Sequence, residues 1–203
     1  MASKKKFNFY PIFFMLVLSF VLTALLAGLN EFTLPKVEMN RELEIQEKIL
    51  NVFQIDYEKD NPKSITSSFN DNVETDEFEE SPMYIYQDDN GQPIAYAVPF
   101  KGPGLWGTIE GFIGITSNME EITGIEFTDQ SETPGLGARI EEDEYKSQYK
   151  NLDISSSQAD KLIASSPEGQ IDQISGATQT SDSVIRMVNK DLFHFIENVG
   201  GGN

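Results

Sequence analysis

Apolar and polar positions alternate along this chain in three regimes. From Phe7 to Asn30 no charged residue occurs, and 12–29 are almost wholly Phe, Leu, Val, Ile, Ala and Met. At a rise of about 1.5 Å per residue, roughly 20 helical residues cross a hydrocarbon core. The run therefore predicts one membrane-spanning helix, with residues 9–29 in the bilayer. Pro35 is expected to close it. In 40–53 (NRELEIQEKILNVF), Leu43, Gln46/Glu47, Leu50 and Phe53 fall on one helical face and Asn40 can cap the start. Residues 57–80 are polar and acidic and predict a loop-rich stretch with room for a short helix.

From Met83 the period shortens to that of strands. Residues 83–86 (MYIY), a turn cluster at 88–91 (DDNG), and 93–100 predict a hairpin. Residues 105–116 and 122–128 add two more strands around a turn at 117–121. Short turns between successive strands predict an antiparallel sheet. Residues 140–149 and 155–163 suggest short helices. Val184, Val188, Leu192, Phe195 and Val199 recur at helical spacing. Ser181 is the expected N-cap and Asp182 a first-turn acid. The fold class expected is α+β: an antiparallel sheet flanked by helices, with one N-terminal transmembrane helix. The organisation expected is a basic tip and anchor over 1–35, a helix and acidic linker over 36–82, and a binding domain over 83–203.

Charge adds orientation. Lys4, Lys5 and Lys6 precede the apolar run, and the positive-inside bias puts that end in the cytoplasm. The remainder is expected on the extracytoplasmic side of the inner membrane. A cleaved signal peptide is the alternative, but its apolar region is typically shorter, about 7–15 residues. The best candidate end, Ala24 to Ala27, also lacks a small residue three before the cut. The chain of 203 residues carries 33 acidic against 15 basic ones, a net charge of -18. Such a balance disfavours nucleic acid as a partner. There is no cysteine, which excludes disulfides, thiolate metal sites and a lipoprotein anchor, and there is one histidine, His194. No metal site is expected, and a single histidine does not assemble convincingly into a Ser/His/Asp set.

The densest chemistry lies in 172–181, DQISGATQTS. Gly176 and Ala177 permit close backbone approach, and Ser175, Thr178, Thr180 and Ser181 crowd hydroxyls just before a helix. Amides at a helix N-terminus favour a phosphate. A simple Ser/Thr cap explains the same residues. The segment resembles the flavinylation motif of the FMN-binding domain family, in which an Asp, two variable residues and Ser or Thr precede Gly-Ala-Thr. Asp172, Ser175, Gly176, Ala177 and Thr178 match each fixed position. The resemblance implies FMN joined as a phosphoester to the Thr178 hydroxyl by a dedicated transferase that uses FAD. Thr180 is a second hydroxyl two residues on.

Two further segments carry the likeness. Residues 131–137, SETPGLG, resemble the family's Glu-Thr-Pro-Gly-Leu-Gly loop. By that resemblance Glu132, Thr133, Gly135 and Leu136 contact the flavin; a plain Pro-Gly turn is the alternative. Residues 102–111, GPGLWGTIEG, are similar to the Gly-Leu-Trp segment of the C subunit of sodium-translocating NADH:quinone reductases. The related Rnf-type G subunit usually has a Trp-free version here. Trp106 either edges the flavin or is a partly buried sheet tryptophan. The resemblance implies a covalently flavinylated electron carrier in a membrane complex that couples NADH oxidation to quinone reduction and ion export, partnered by other membrane subunits, with no catalytic site of its own. A Rnf-type ferredoxin:NAD complex is the nearest alternative, and a non-redox tethered binding module the distant one. Binding of NADH by the chain itself is not expected.

Overall fold

In a computed structural model of the chain, residues 9–155, 162–165 and 169–200 are described. Two compact units divide it, Met1–Glu42 and Leu43–Asn203. In the first, α1 (Tyr10–Phe53) begins as an exposed apolar helix. It is long and apolar enough to cross a membrane. Contrary to expectation, Pro35 does not end the helix but lies inside it. A proline removes one backbone hydrogen bond. Strong helix formers on its C-terminal side (Glu38, Met39, Arg41, Glu42, Leu43) favour continuing over a break that would free several backbone groups. Thr33 also turns its hydroxyl back onto the Leu29 carbonyl at 2.9 Å.

The second unit is a six-stranded antiparallel meander in the order β1 to β6. The strands are β1 (Val73–Phe78), β2 (Ser81–Gln87), β3 (Pro93–Pro103), β4 (Thr108–Thr116), β5 (Glu121–Asp129) and β6 (Leu152–Asp153). The hairpin at 83–100 forms as expected. Its turn is organised by the Asp88 carboxylate, which accepts the amides of Asn90 and Gln92. The acidic stretch is more ordered than its composition suggests. It holds α2 (Pro62–Asn72), started by Pro62 at its first position and by Asn61, which accepts the Lys63 and Ser64 amides. Edge strand β1 follows. Its VETDEF sequence shows no alternation because the strand is held by its ladder to β2 and keeps an exposed, charged edge.

Pleating sorts the core onto two faces. From β3, Ala95 and Ala97 join the end of α1 (Ile49, Leu50, Val52, Phe53) with Phe69 and Phe112. On the other face Val98 and Phe100 join Ile113, Ile115, Phe127 and α4 (Thr178–Phe195). Val184, Val188, Leu192 and Phe195 are buried as their spacing predicts. The stretch 140–149 is broken into a 3-10 turn (Gly137–Glu141), the short α3 (Asp143–Lys146) and a second 3-10 turn (Ser147–Tyr149). Most of the expected helix at 155–163 lies outside the described residues.

Candidate functional site

The start of α4 lies four residues earlier than its capping signals indicate. Thr178 is its first residue, and Ala177, at the N-cap, supplies no side-chain cap. Ser181 is therefore a correction: it sits in the first turn, not at the cap. Its hydroxyl accepts the Ile174 amide at 3.1 Å and donates to the Ala177 carbonyl at 3.2 Å. The 174–177 loop is thus tied back onto the helix it precedes. Asp182 likewise lies within the helix and accepts from the Gln173 amide group at 2.6 Å. Gly176, at φ +80, makes the reversal that L residues rarely adopt. The outcome is an exposed Thr178 side chain at the opening of an 18-residue helix whose first amides have no intrahelical acceptor.

The two threonines differ sharply. Thr178 is exposed, whereas Thr180 is 1% exposed and its hydroxyl donates to Glu132 Oε2 at 2.7 Å. Ser175 and Gly176 are exposed and Ala177 is buried beneath them.

The 131–137 loop lies against this helix start. A Cβ on Gly137 would stand 2.7 Å from Glu132 Oε2 and 2.8 Å from the Thr180 hydroxyl, and a Cβ on Gly176 would stand 3.2 Å from Leu136. Thr133 is exposed and its carbonyl accepts the amides of Leu136 and Ala138, while Gly135 turns the loop at φ +74. Glu132 is buried. Besides Thr180 it accepts the Leu105 and Trp106 amides on Oε1, at 2.8 and 3.0 Å. All three protein donors therefore converge on a side chain that sequence reasoning assigned to the flavin.

Trp106 is not a sheet tryptophan. It is 72% exposed, in the loop between β3 and β4, beside exposed Leu105. That loop is closed by a 2.7 Å bond from the Gly104 amide to the Gly107 carbonyl. Gly104 is required next to Glu132, since a Cβ there would lie 2.4 Å from Oε1. Sequence reasoning missed the role of Gly104; the glycine spacing in 102–107 was the available signal.

On the other side of the 172–175 loop an open groove of about 370 Å³ is lined by Arg139, Glu142, Tyr145, Gln148, Asp172 and Ser175. Gln148 accepts the Asp172 amide at 2.6 Å. Behind it the Tyr145 and Tyr149 hydroxyls share a 3.0 Å bond, and burial pushes Tyr145 up to about 12 and raises Tyr149 well above its ordinary value. Glu126, on β5, is also raised by burial, opposed by Lys146, which holds both its oxygens at 2.9 Å. Away from the site, His194 meets Glu79 at 2.6 Å and so has a partner that sequence reasoning did not foresee. Lys101 pairs with Glu110.

A hydroxyl presented at a helix N-terminus, glycine turns on both sides and exposed apolar side chains nearby suit a nucleotide carrying a flat ring. Residues 104–192 match the FMN-binding domain family. The chain is 35% identical over 108 residues to the C subunit of the Na(+)-translocating NADH-quinone reductase of Pasteurella multocida, covering 50% of this chain and 42% of that protein. It is 36% identical over 108 residues to the G subunit of the ion-translocating oxidoreductase complex of Methanosarcina acetivorans, covering 52% and 55%. The chain thus matches about half the length of these curated relatives. Its fold is that of the crystal structure of the reductase's C subunit from Parabacteroides distasonis, with a TM-score of 0.66 at 24% identity, over 82% of this chain and 96% of that one.

Proposed function

We propose that this chain is the covalently flavinylated electron carrier of a membrane ion-translocating redox complex, with FMN held as a phosphoester on Thr178. The observation that carries the reading is the contrast in the motif: Thr178 is exposed at the first position of α4, whereas Thr180 is buried with its hydroxyl engaged. In maturation the Thr178 hydroxyl oxygen attacks the flavin-side phosphorus of FAD. The new P–O bond replaces the pyrophosphate link, AMP leaves, and the hydroxyl proton passes to solvent or the released AMP. An FMN transferase supplies that reaction.

The chain's own contribution is binding and orientation. The free amides opening α4 favour the phosphate. Gly176 brings the backbone close without a clashing side chain, and Leu136 with Trp106 offers apolar surface to a ring. Bound FMN supplies reversible electron transfer, and the protein holds it. The helix at Tyr10–Phe53 would anchor the domain in the lipid bilayer, with the three N-terminal lysines in the cytoplasm and the flavin domain on the opposite side. Other membrane subunits would supply donor and acceptor. Quinone reductase and Rnf-type complexes are two forms of the reading, because relatives from both match at nearly equal identity. Following the flavin in native membranes separates them: re-oxidation of NADH-reduced flavin by added quinone supports the first, and reduction by ferredoxin supports the second. Covalent attachment itself is tested by Thr178→Ala, which should give a colourless chain after denaturing gel filtration; retained covalent flavin refutes the assignment.

A further inference from the structure

Three exposed groups suited to a flavin sit on three separate segments: Trp106 on the β3–β4 loop, Leu136 on the 131–137 loop, and Thr178 on α4. One buried carboxylate joins all three. Glu132 belongs to the second segment, accepts two amides of the first and accepts a hydroxyl from the third. Two glycines leave room for it, because a Cβ on Gly104 or Gly137 would meet its oxygens at 2.4 and 2.7 Å. Backbone amides in an exposed loop ordinarily bond to water. Here those of Leu105 and Trp106 point inward to a side chain 5% exposed.

We propose that Glu132 is a positioning residue: it fixes Trp106 and Leu136 at a set distance from Thr178 and holds the Thr180 hydroxyl away from the reaction. The inference rests on the flavin site proposed above only for its purpose, since the clamp is a property of the chain itself. A carboxylate suits the place because it only accepts, and all three neighbours donate. In Glu132→Gln the amide oxygen can keep the two backbone amides while its NH₂ group faces Thr180, which turns from donor to acceptor. In Glu132→Ala all three bonds go.

Trp106 is the only tryptophan, so its fluorescence reports this loop directly in the full chain in detergent, made without the transferase. The expected result is a fast-decaying share of the Trp106 anisotropy that about doubles in Glu132→Ala and stays near wild type in Glu132→Gln. Hydrogen exchange on the unmutated chain gives a reading that needs no variant. The Leu105 and Trp106 amides should exchange at least about tenfold more slowly than free peptide, as bonds to a buried charged acceptor require. Free-peptide exchange at both, or a folded Glu132→Ala chain with unchanged anisotropy, overturns the clamp. In chain made with the transferase, Glu132→Gln should keep a single adduct on Thr178, and Glu132→Ala should show brighter native flavin fluorescence as the indole moves off the ring. Wild-type chain without any adduct would sink the proposed function while leaving the clamp to the anisotropy result. An adduct on Thr178 with a fixed Trp106 in Glu132→Ala would sink the clamp alone.

Discussion

The two faces of the sheet use glycine for opposite ends. Under the end of α1, Gly114 and Gly124 let the helix backbone settle onto the strands: a Cβ on Gly114 would lie 2.6 Å from Val52 Cγ1, and one on Gly124 3.0 Å from the Val52 carbonyl oxygen. That face closes mainly on apolar side chains. At the α4 end, Gly104 and Gly137 surround a carboxylate, Gly135 and Gly176 turn exposed loops, and Leu105, Trp106 and Leu136 remain uncovered. Small residues that bury one surface completely on the first face leave a second surface open and aimed on the other. A glycine motif is therefore informative only with the polarity of what it admits.

The sharpest way to break this comparison is at the open end. Thr178→Ala should remove all covalent flavin while leaving the thermal midpoint of the unflavinylated chain unchanged, because the side chain is exposed; a large drop in that midpoint would mean the residue is structural. The next effect comes from the closed α4-side core. Tyr145 keeps its proton in the folded chain up to about 12, whereas the unfolded chain releases it near 10. Stability is full below pH 10 and is lost as pH rises toward 12, by up to about 3 kcal/mol at roughly 1.4 kcal/mol per unit. Melts across pH 9 to 11 should show at least that slope, and Tyr145→Phe should lessen it without abolishing it, because Tyr149 and Tyr57 are also raised by burial.

On the α1 side, Gly114→Ala places a Cβ 2.0 Å from the Thr123 hydroxyl. Overpacking of this kind costs about 1–3 kcal/mol. Denaturant unfolding should show that loss with covalent flavin loading unaltered, which a coupled pair of faces would not allow. The smallest change is expected from Thr180→Val. It removes one bond to Glu132 and about 1–2 kcal/mol of stability, yet peptide mapping should still find the adduct on Thr178. Loss of the adduct would place the acceptor at Thr180 and reverse the reading.

Strands β2 to β5 were legible because each alternates or is bounded by turn residues, and the buried face of α4 was legible from its spacing. Residues governed by tertiary bonding were not. Strand β1 carries charge on both faces because an edge needs only its backbone ladder and gains protection from its acids. Ser181 has the chemistry of a cap, but its hydroxyl ties the preceding loop instead, so the helix opens at Thr178. Pro35 stops a helix by propensity and is carried by its neighbours in fact. In the site, Thr178 and its motif could be read from residue order. That Thr180 is buried and that Glu132 faces three protein donors could not, because those contacts join residues 26 to 48 positions apart.

Intact mass of the full chain, made together with an FMN transferase and followed by peptide mapping, tests the central assignment most directly. The account predicts a single added mass equal to FMN less one water, located on Thr178. An unmodified chain, or an adduct on any other hydroxyl, would contradict it.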